Sequence, residues 1–357
     1  MIKRIKVLVA DHSAVIRRLV AEALHADPEF EVYAATDIQD ALVQIPQVRP
    51  DVVLLDLEIP AEVGVDAVPA VRSCNRELPI LVLCRSSEAN GDRLFKAMAQ
   101  GAGDYLAKAI RIGHVDAAVQ YFRRHLPPKI RLLTQHQDVS PDATHGRAEV
   151  EEGAGTKAIE IVVVGTSSGR WKELATFLSQ LPDNLPVPVL VAHHMTPALT
   201  QLIVQRIESV CALPVAIAVP GNTLAPGQVW LAPGGQALSI NNHQGVNCIA
   251  TSLAAAADAD QSLIDTLFRS AARHYRNAVV GVVVTGSSED GRNGCRLILE
   301  AGGQVLVQDR LDAAEFLPAK FSCAANAPQH FRSMEAIAHE AVRLTHVGRT
   351  ECESILT

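Results

Sequence analysis

The sequence lacks any excess of positive charge: Lys plus Arg number 32 against 39 for Asp plus Glu, a formal net charge of −7. Binding nucleic acid by counterion release needs a basic footprint, so DNA and RNA are excluded as main ligands. Long apolar runs are missing as well. Val279 to Val284 is among the longest, far short of the roughly 20 residues that span a bilayer. The opening MIKRIKVLVAD is broken by charge too early for a signal peptide. No membrane insertion is expected, and a cytoplasmic location is. The seven cysteines form no CxxC pair, which removes zinc-site spacing, and their odd number and scatter remove a disulfide framework. Reduced, mostly buried thiols are expected.

What is present is apolar material in quantity. Hydrophobic residues make up 48% of the 357 and charged residues only 20%, enough to build cores and too much for a disordered chain. The length suits two domains of ordinary size. From Ile5 onward, IKVLVAD, EVYAAT, DVVLLD, LPILVLC and GDYLAK alternate with amphipathic stretches at helical spacing. That alternation predicts a doubly wound parallel sheet of flavodoxin-like type over residues 1–126. Residues 127–157, rich in polar, acidic, Gly and Pro residues, read as a linker. The alternation restarts with IEIVVVG and continues through VPVLVAHH, LPVAIAV, QVWLAPG, a hairpin around INNHQG, AVVGVVVTG and GGQVLVQD. A second α/β domain with a β-hairpin is expected over 158–348, followed by a tail at 349–357.

Gly165-Thr166-Ser167-Ser168-Gly169 follows the strand IEIVVV and precedes the helical stretch WKELATFLSQL. It is a GxSxG in a strand-to-helix setting, where a sharp turn exposes a serine at the top of a parallel sheet. The plainer reading is a small-residue turn that lets a helix pack on a strand. A nucleotide-binding turn is a weaker rival, because GxGxxG spacing is not met. A serine hydroxyl needs a base, usually histidine, itself held by a carboxylate. His193 and His194 close the strand VPVLVAH, and Asp290 lies in TGSSEDG after AVVGVVV. Ligands of open parallel sheets bind outside the carboxyl ends of the strands, so Ser167, either histidine and Asp290 can converge there.

With these residues in view, the whole chain resembles the CheB-type protein-glutamate methylesterases of bacterial chemosensory systems, a response-regulator receiver followed by an esterase domain. GTSSGR resembles the family's GASTGG and puts the nucleophile on Ser167. HHMT resembles QHMP and puts the base on His194 rather than His193; VTGSSEDG resembles LTGMGNDG and puts the triad carboxylate on Asp290. WLAPGG and ADQSLIDTLF stand where YIAPGD and HRPSVDVLF are usual. The resemblance implies hydrolysis of glutamate γ-methyl esters on chemoreceptors, with glutamine deamidation as a second activity. It implies no cofactor for the esterase. Oxyanion donors would come from the Thr166 to Ser168 turn and from Ser287. Arg170, in place of a glycine, either favours an acidic substrate helix or merely aids solubility.

For the receiver, the resemblance puts the phosphoacceptor on Asp56 and the phosphate-binding lysine on Lys108, with Mg²⁺ held by Asp11 and Asp56. The family's second acid after the first strand is here His12, a poor replacement on a hard, oxygen-seeking cation, so Mg²⁺ binding is expected to be weak or absent. Cys84 stands at the switch position normally held by Thr or Ser and is the weaker donor. Two receiver readings stay open: phosphorylation by a CheA-type histidine kinase, or a pseudo-receiver that acts without phosphate. The implied partners are the chemoreceptors, that kinase and an opposing CheR-type methyltransferase, with recruitment to membrane receptor arrays. Two rivals for the whole protein are a non-catalytic adaptor that binds receptor arrays or kinase, and a small-molecule serine hydrolase.

Overall fold

The computed structural model describes residues 4–59, 66–85, 91–108, 115–134, 158–253, 262–284, 290–308, 328–331 and 333–347. The chain divides into two compact units, Met1–Ala143 and Thr144–Thr357.

In the first unit the strands are β1 (Ile5–Ala10), β2 (Phe30–Ala35), β3 (Val52–Asp56), β4 (Ile80–Cys84) and β5 (Asp104–Ala107). Every pairing is parallel, in the order β2-β1-β3-β4-β5, the flavodoxin-like arrangement that the alternation predicts. β3 and β4 are buried at every position, which is why they read as unbroken apolar runs rather than alternating ones. The helices are α1 (Ala14–His25), α2 (Ile38–Val48), α3 (Ala67–Cys74), α4 (Gly91–Ala99) and α5 (Val115–Thr134). Ser13 starts α1 by accepting the Ile16 N–H, and Asp37 starts α2 by accepting that of Asp40.

The expected linker start at residue 127 is corrected here. α5 runs through Pro127 and Pro128 to Thr134, and Leu126, Ile130 and Leu133 lie in the same core as Val7, Leu54 and Leu83. Residues 127–134 therefore belong to the first unit. The rest of the expected linker, 135–157, and the tail at 349–357 lie outside the described residues.

In the second unit the strands are β6 (Ile161–Thr166), β7 (Val189–His193), β8 (Val215–Ile217), β9 (Val229–Leu231), β10 (Gln236–His243), β11 (Val246–Leu253), β12 (Val279–Val284), β13 (Gln304–Gln308) and β14 (Gln329–Phe331). The helices are α6 (Trp171–Ser179), α7 (Pro197–Glu208), α8 (Leu263–Tyr275), α9 (Arg292–Glu300) and α10 (Met334–His346). Seven strands form a wholly parallel sheet, β14-β13-β12-β6-β7-β9-β8. β10 and β11 make the expected antiparallel hairpin, turning at Gln244 and Gly245, both at positive φ, the pattern of a two-residue hairpin turn. The three-residue β14 is too short for periodicity to reveal.

The chain leaves β6 toward β7 on one side and returns to β12 on the other, so the strand order reverses at β6. Crevices for ligands open at such switch points. Phe268 and Leu267 of α8 are fully buried in the core beneath β6 and β12. Among the described residues no helix is long and apolar enough to cross a membrane.

Candidate active site

β12, β6 and β7 are neighbours, and Val284, Thr166 and His193 lie level across them. Ser167 and His194 are the next residues on adjacent strands, spaced about 4.8 Å apart in a sheet. Both leave the sheet at the same level. Ser167 has extended backbone and is 5% exposed; a 3-10 turn, Ser168–Arg170, follows and leads into α6. Gly165 has a steric reason to lack a side chain: a Cβ there would come within 2.4 Å of Ile264 Cγ2. The small residue at Gly165 thus lets α8 pack closely on β6, the plainer of the two sequence readings, with Ser167 itself buried.

The two histidines part company. His193 is fully buried, its Nε2 donates to the Ala232 carbonyl at 2.9 Å, and its Nδ1 accepts the Met195 N–H at 3.2 Å. Burial pushes its pKa down to about 4, so it is neutral and both ring nitrogens are engaged. His194 remains, its side chain 31% exposed and its Nε2 2.8 Å from Asp290 Oδ2. Nε2 is thus the ring nitrogen on the Asp290 side.

Asp290, 7% exposed in its side chain, sits just before α9. Its Oδ2 accepts the Ile264 N–H and its Oδ1 the Asp265 N–H, both at 2.9 Å. Burial by itself would raise this carboxyl, but the hydrogen bond and charge of His194, the Ile264 amide and Ser262 together hold it below the ordinary aspartate value. The carboxylate is ionised and aimed at His194, the condition for fixing an imidazole tautomer.

Around this pair the loop after β9 ties down the loop that carries His194, through the Gly235 N–H on the Met195 carbonyl at 3.1 Å. Arg170 pairs with Glu173 at 2.7 Å with its side chain 14% exposed, so its charge is matched within α6. Thr166 is buried, and its hydroxyl donates to the Ser167 carbonyl at 3.3 Å. Ser287 lies outside the described residues. Sequence reasoning missed Ser262 and Asp265, although S-L-I-D at the start of α8 has the S-x-x-D spacing of a helix start.

A second polar cluster stands at the carboxyl ends of β1, β3 and β5. Lys108 Nζ lies 2.9 Å from Asp11 Oδ2 and 2.5 Å from Asp56 Oδ1, with all three side chains buried. Asp56 also accepts the Glu58 N–H, and Asp11 the Ser13 N–H. Burial first, and then the Asp56 charge, raises the Asp11 carboxyl against the pull of Lys108. His12 Nδ1 is 2.8 Å from Asp56 Oδ2. Asp11, His12 and Asp56 bring one ligand atom each within 4.8 Å of one another, close enough for one divalent cation. The donor set is two carboxylates and an imidazole, one oxygen group poorer than Mg²⁺ favours. Cys84 is buried, Sγ 4.0 Å from the Leu106 carbonyl, and burial raises its thiol to about 12; it is a neutral thiol.

Two units so built define the class: a receiver-type domain followed by a parallel-sheet α/β domain with a histidine–aspartate pair at its switch point. Residues 162–341 match the CheB methylesterase family model, and residues 7–120 match that of the response regulator receiver domain. A protein-glutamate methylesterase/protein-glutamine glutaminase of Trichodesmium erythraeum is 32% identical over 315 residues, covering 86% of this chain and 89% of that one. One of the same description from a Nocardioides species is 34% identical over 319 residues, covering 86% of each. The crystal structure of the Thermotoga maritima CheB methylesterase catalytic domain is 26% identical, covering 53% of this chain and all of that one with a TM-score of 0.46. The chain belongs to the CheB methylesterase family.

Proposed function

We propose that this protein hydrolyses glutamate γ-methyl esters on chemoreceptors, with glutamine deamidation as a second activity. The observation that carries the reading is the 2.8 Å contact between His194 and Asp290, one strand from the Ser167 turn. It stands in a chain whose relatives are named for that reaction. Ser167 attacks the ester carbonyl while His194 takes its proton, most directly on Nδ1; His194 then protonates the departing methoxide, and water repeats the sequence on the acyl-enzyme. Asp290 holds the imidazole. The oxyanion is met by backbone amides of the Thr166 to Ser168 turn and of Ser287. This chemistry draws its nucleophile and base from side chains alone and calls for no cofactor.

In the receiver, Asp56 is the acceptor position, with Asp11, Lys108 and Cys84 around it. His12 makes Mg²⁺ a weak ligand there, and the neutral Cys84 thiol is a weak donor for any phosphoryl group. Both points favour a receiver that acts without phosphate over one switched by a CheA-type kinase. The substrate places the protein in the cytoplasm at membrane receptor arrays, opposite a CheR-type methyltransferase.

The test is methanol release from a chemoreceptor fragment premethylated by its methyltransferase. Ser167→Ala is expected to lower the rate at least about a thousandfold. Rates indistinguishable from wild type would end the reading.

A further inference from the structure

α8 and α9 both start without a cap of their own. Ser262, at the N-cap of α8, makes no side-chain bond to that helix's backbone N–H groups, and the N-cap of α9 is Gly291. The orphan N–H groups of a helix's first turn must be satisfied from somewhere. Here each helix is served by an acid belonging to the other. Asp290, just before α9, accepts the Ile264 and Asp265 N–H groups of α8. Asp265, in the first turn of α8 and 4% exposed, accepts the Gly294 N–H of α9 at 2.6 Å.

Ser262 joins the two acids. Its hydroxyl donates to Asp265 Oδ2 at 3.0 Å and also lies within hydrogen-bonding reach of Asp290. The helices meet closely enough that a Cβ on Gly294 would come within 2.4 Å of Phe268 Cβ. The place of Asp290 is therefore set from two sides, by the α8 amides it caps and by the hold of Asp265 on the α9 turn that carries it.

We propose that Asp265 is a positioning residue for the Asp290–His194 pair. It touches neither the histidine nor the reacting atoms. It holds the start of α9 on the start of α8, so that Asp290 Oδ2 bonds His194 Nε2 and the Ile264 amide together. This rests on the proposed esterase chemistry for its kinetic readout, but not for its spectroscopic one.

The experiment uses full-length wild type, Asp265→Ala and Asp265→Asn. Asparagine keeps one carbonyl acceptor for Gly294 and loses the second acceptor and the charge. The first readout is the downfield proton resonance of the His194 ring N–H bonded to Asp290, assigned by its loss in His194→Gln. The second is kcat and KM for methanol release from the premethylated receptor fragment. Asp265→Ala is expected to move or broaden the resonance and to lower kcat tenfold or more with KM within twofold. Asp265→Asn is expected to retain the resonance and most of kcat.

A resonance and kcat unchanged in Asp265→Ala would overturn the proposal, as would a lower melting temperature without either change, because the role would then be structural only. Should Asp265→Ala fail to fold, Asp265→Asn decides: loss of the resonance in a folded Asp265→Asn protein would show that the backbone cap is not what positions Asp290. If wild type releases no methanol, the esterase reading fails while the resonance still tests the positioning role.

Discussion

His193 has both ring nitrogens engaged, one by the Ala232 carbonyl and one by the Met195 amide, in a site with no exposure at all. Its value near 4, against 6.5 for a free imidazole, has a consequence for stability. As pH falls through 6.5 the unfolded chain takes up a proton that the folded chain refuses until about pH 4. Stability falls across that window and levels off below it, by on the order of 3 kcal/mol. Asp290 works in a separate window: its carboxyl is lowered from 3.8, so its contribution is complete above 3.8 and is lost as pH falls through the lower folded value. His193→Gln, whose amide can still donate to Ala232, is expected to flatten the decline between pH 6.5 and 4 in urea-unfolding midpoints. A decline as steep as wild type would refute this account. Neighbouring histidines of one strand end thus do different work because one faces the core and the other the crevice. The sequence shows two adjacent histidines and not that difference, which arises from Ala232, just after β9, supplying a carbonyl 39 residues away.

At the scale of elements, α5 is the place where local rules mislead. Two successive prolines remove two helical donors and crowd the preceding turn, at a cost of about 3 kcal/mol or more each in a helix interior. Reading the chain locally ends the helix at 126. The helix continues because Ile130 and Leu133 are buried in the receiver core and because Arg131 pairs with Asp27 at 2.6 Å and Glu29 at 2.7 Å. Lys129 adds a 2.5 Å contact to the buried Asp104. Burying a large aliphatic side chain is worth about 1.5–3 kcal/mol, so Ile130, Leu132 and Leu133, all buried, with the clamped arginine match the cost of the two prolines. A receiver fragment ending at 126 is therefore expected to unfold at a distinctly lower urea concentration than one ending at 134. Equal midpoints would mean that residues 127–134 add nothing to the fold.

At the scale of the whole molecule, the chain carries one domain built around an acyl-transfer site and another built around an acidic pocket with an altered donor set. In the receiver, His12 lies 2.8 Å from Asp56 and Cys84 is a neutral thiol, features that the proposed phosphate-independent reading takes to weaken any coupling of a phosphoryl group to loop movement. Under the phosphate-independent reading, beryllofluoride with Mg²⁺ leaves the methanol-release rate of the full-length protein within twofold. A larger stimulation that disappears in Asp56→Ala would overturn that reading and restore the phosphorylation switch.

The family resemblance singled out His194, Asp56 and Lys108; the sequence by itself determined the two parallel-sheet units, the hairpin and the ends of the strands. These follow from apolar runs, helical periodicity and turn residues, which are properties of consecutive positions. Tertiary structure alone decided which histidine is neutral and buried, where the receiver's last helix stops, and how Asp290 is held. Each of those depends on a partner far along the chain: Ala232 for His193, the Asp27 and Glu29 carboxylates for Arg131, and the first-turn amides of α8 for an acid 25 and 26 residues further on. Hydrogen-bond satisfaction and burial are settled only when distant segments meet, so no local pattern could have announced them.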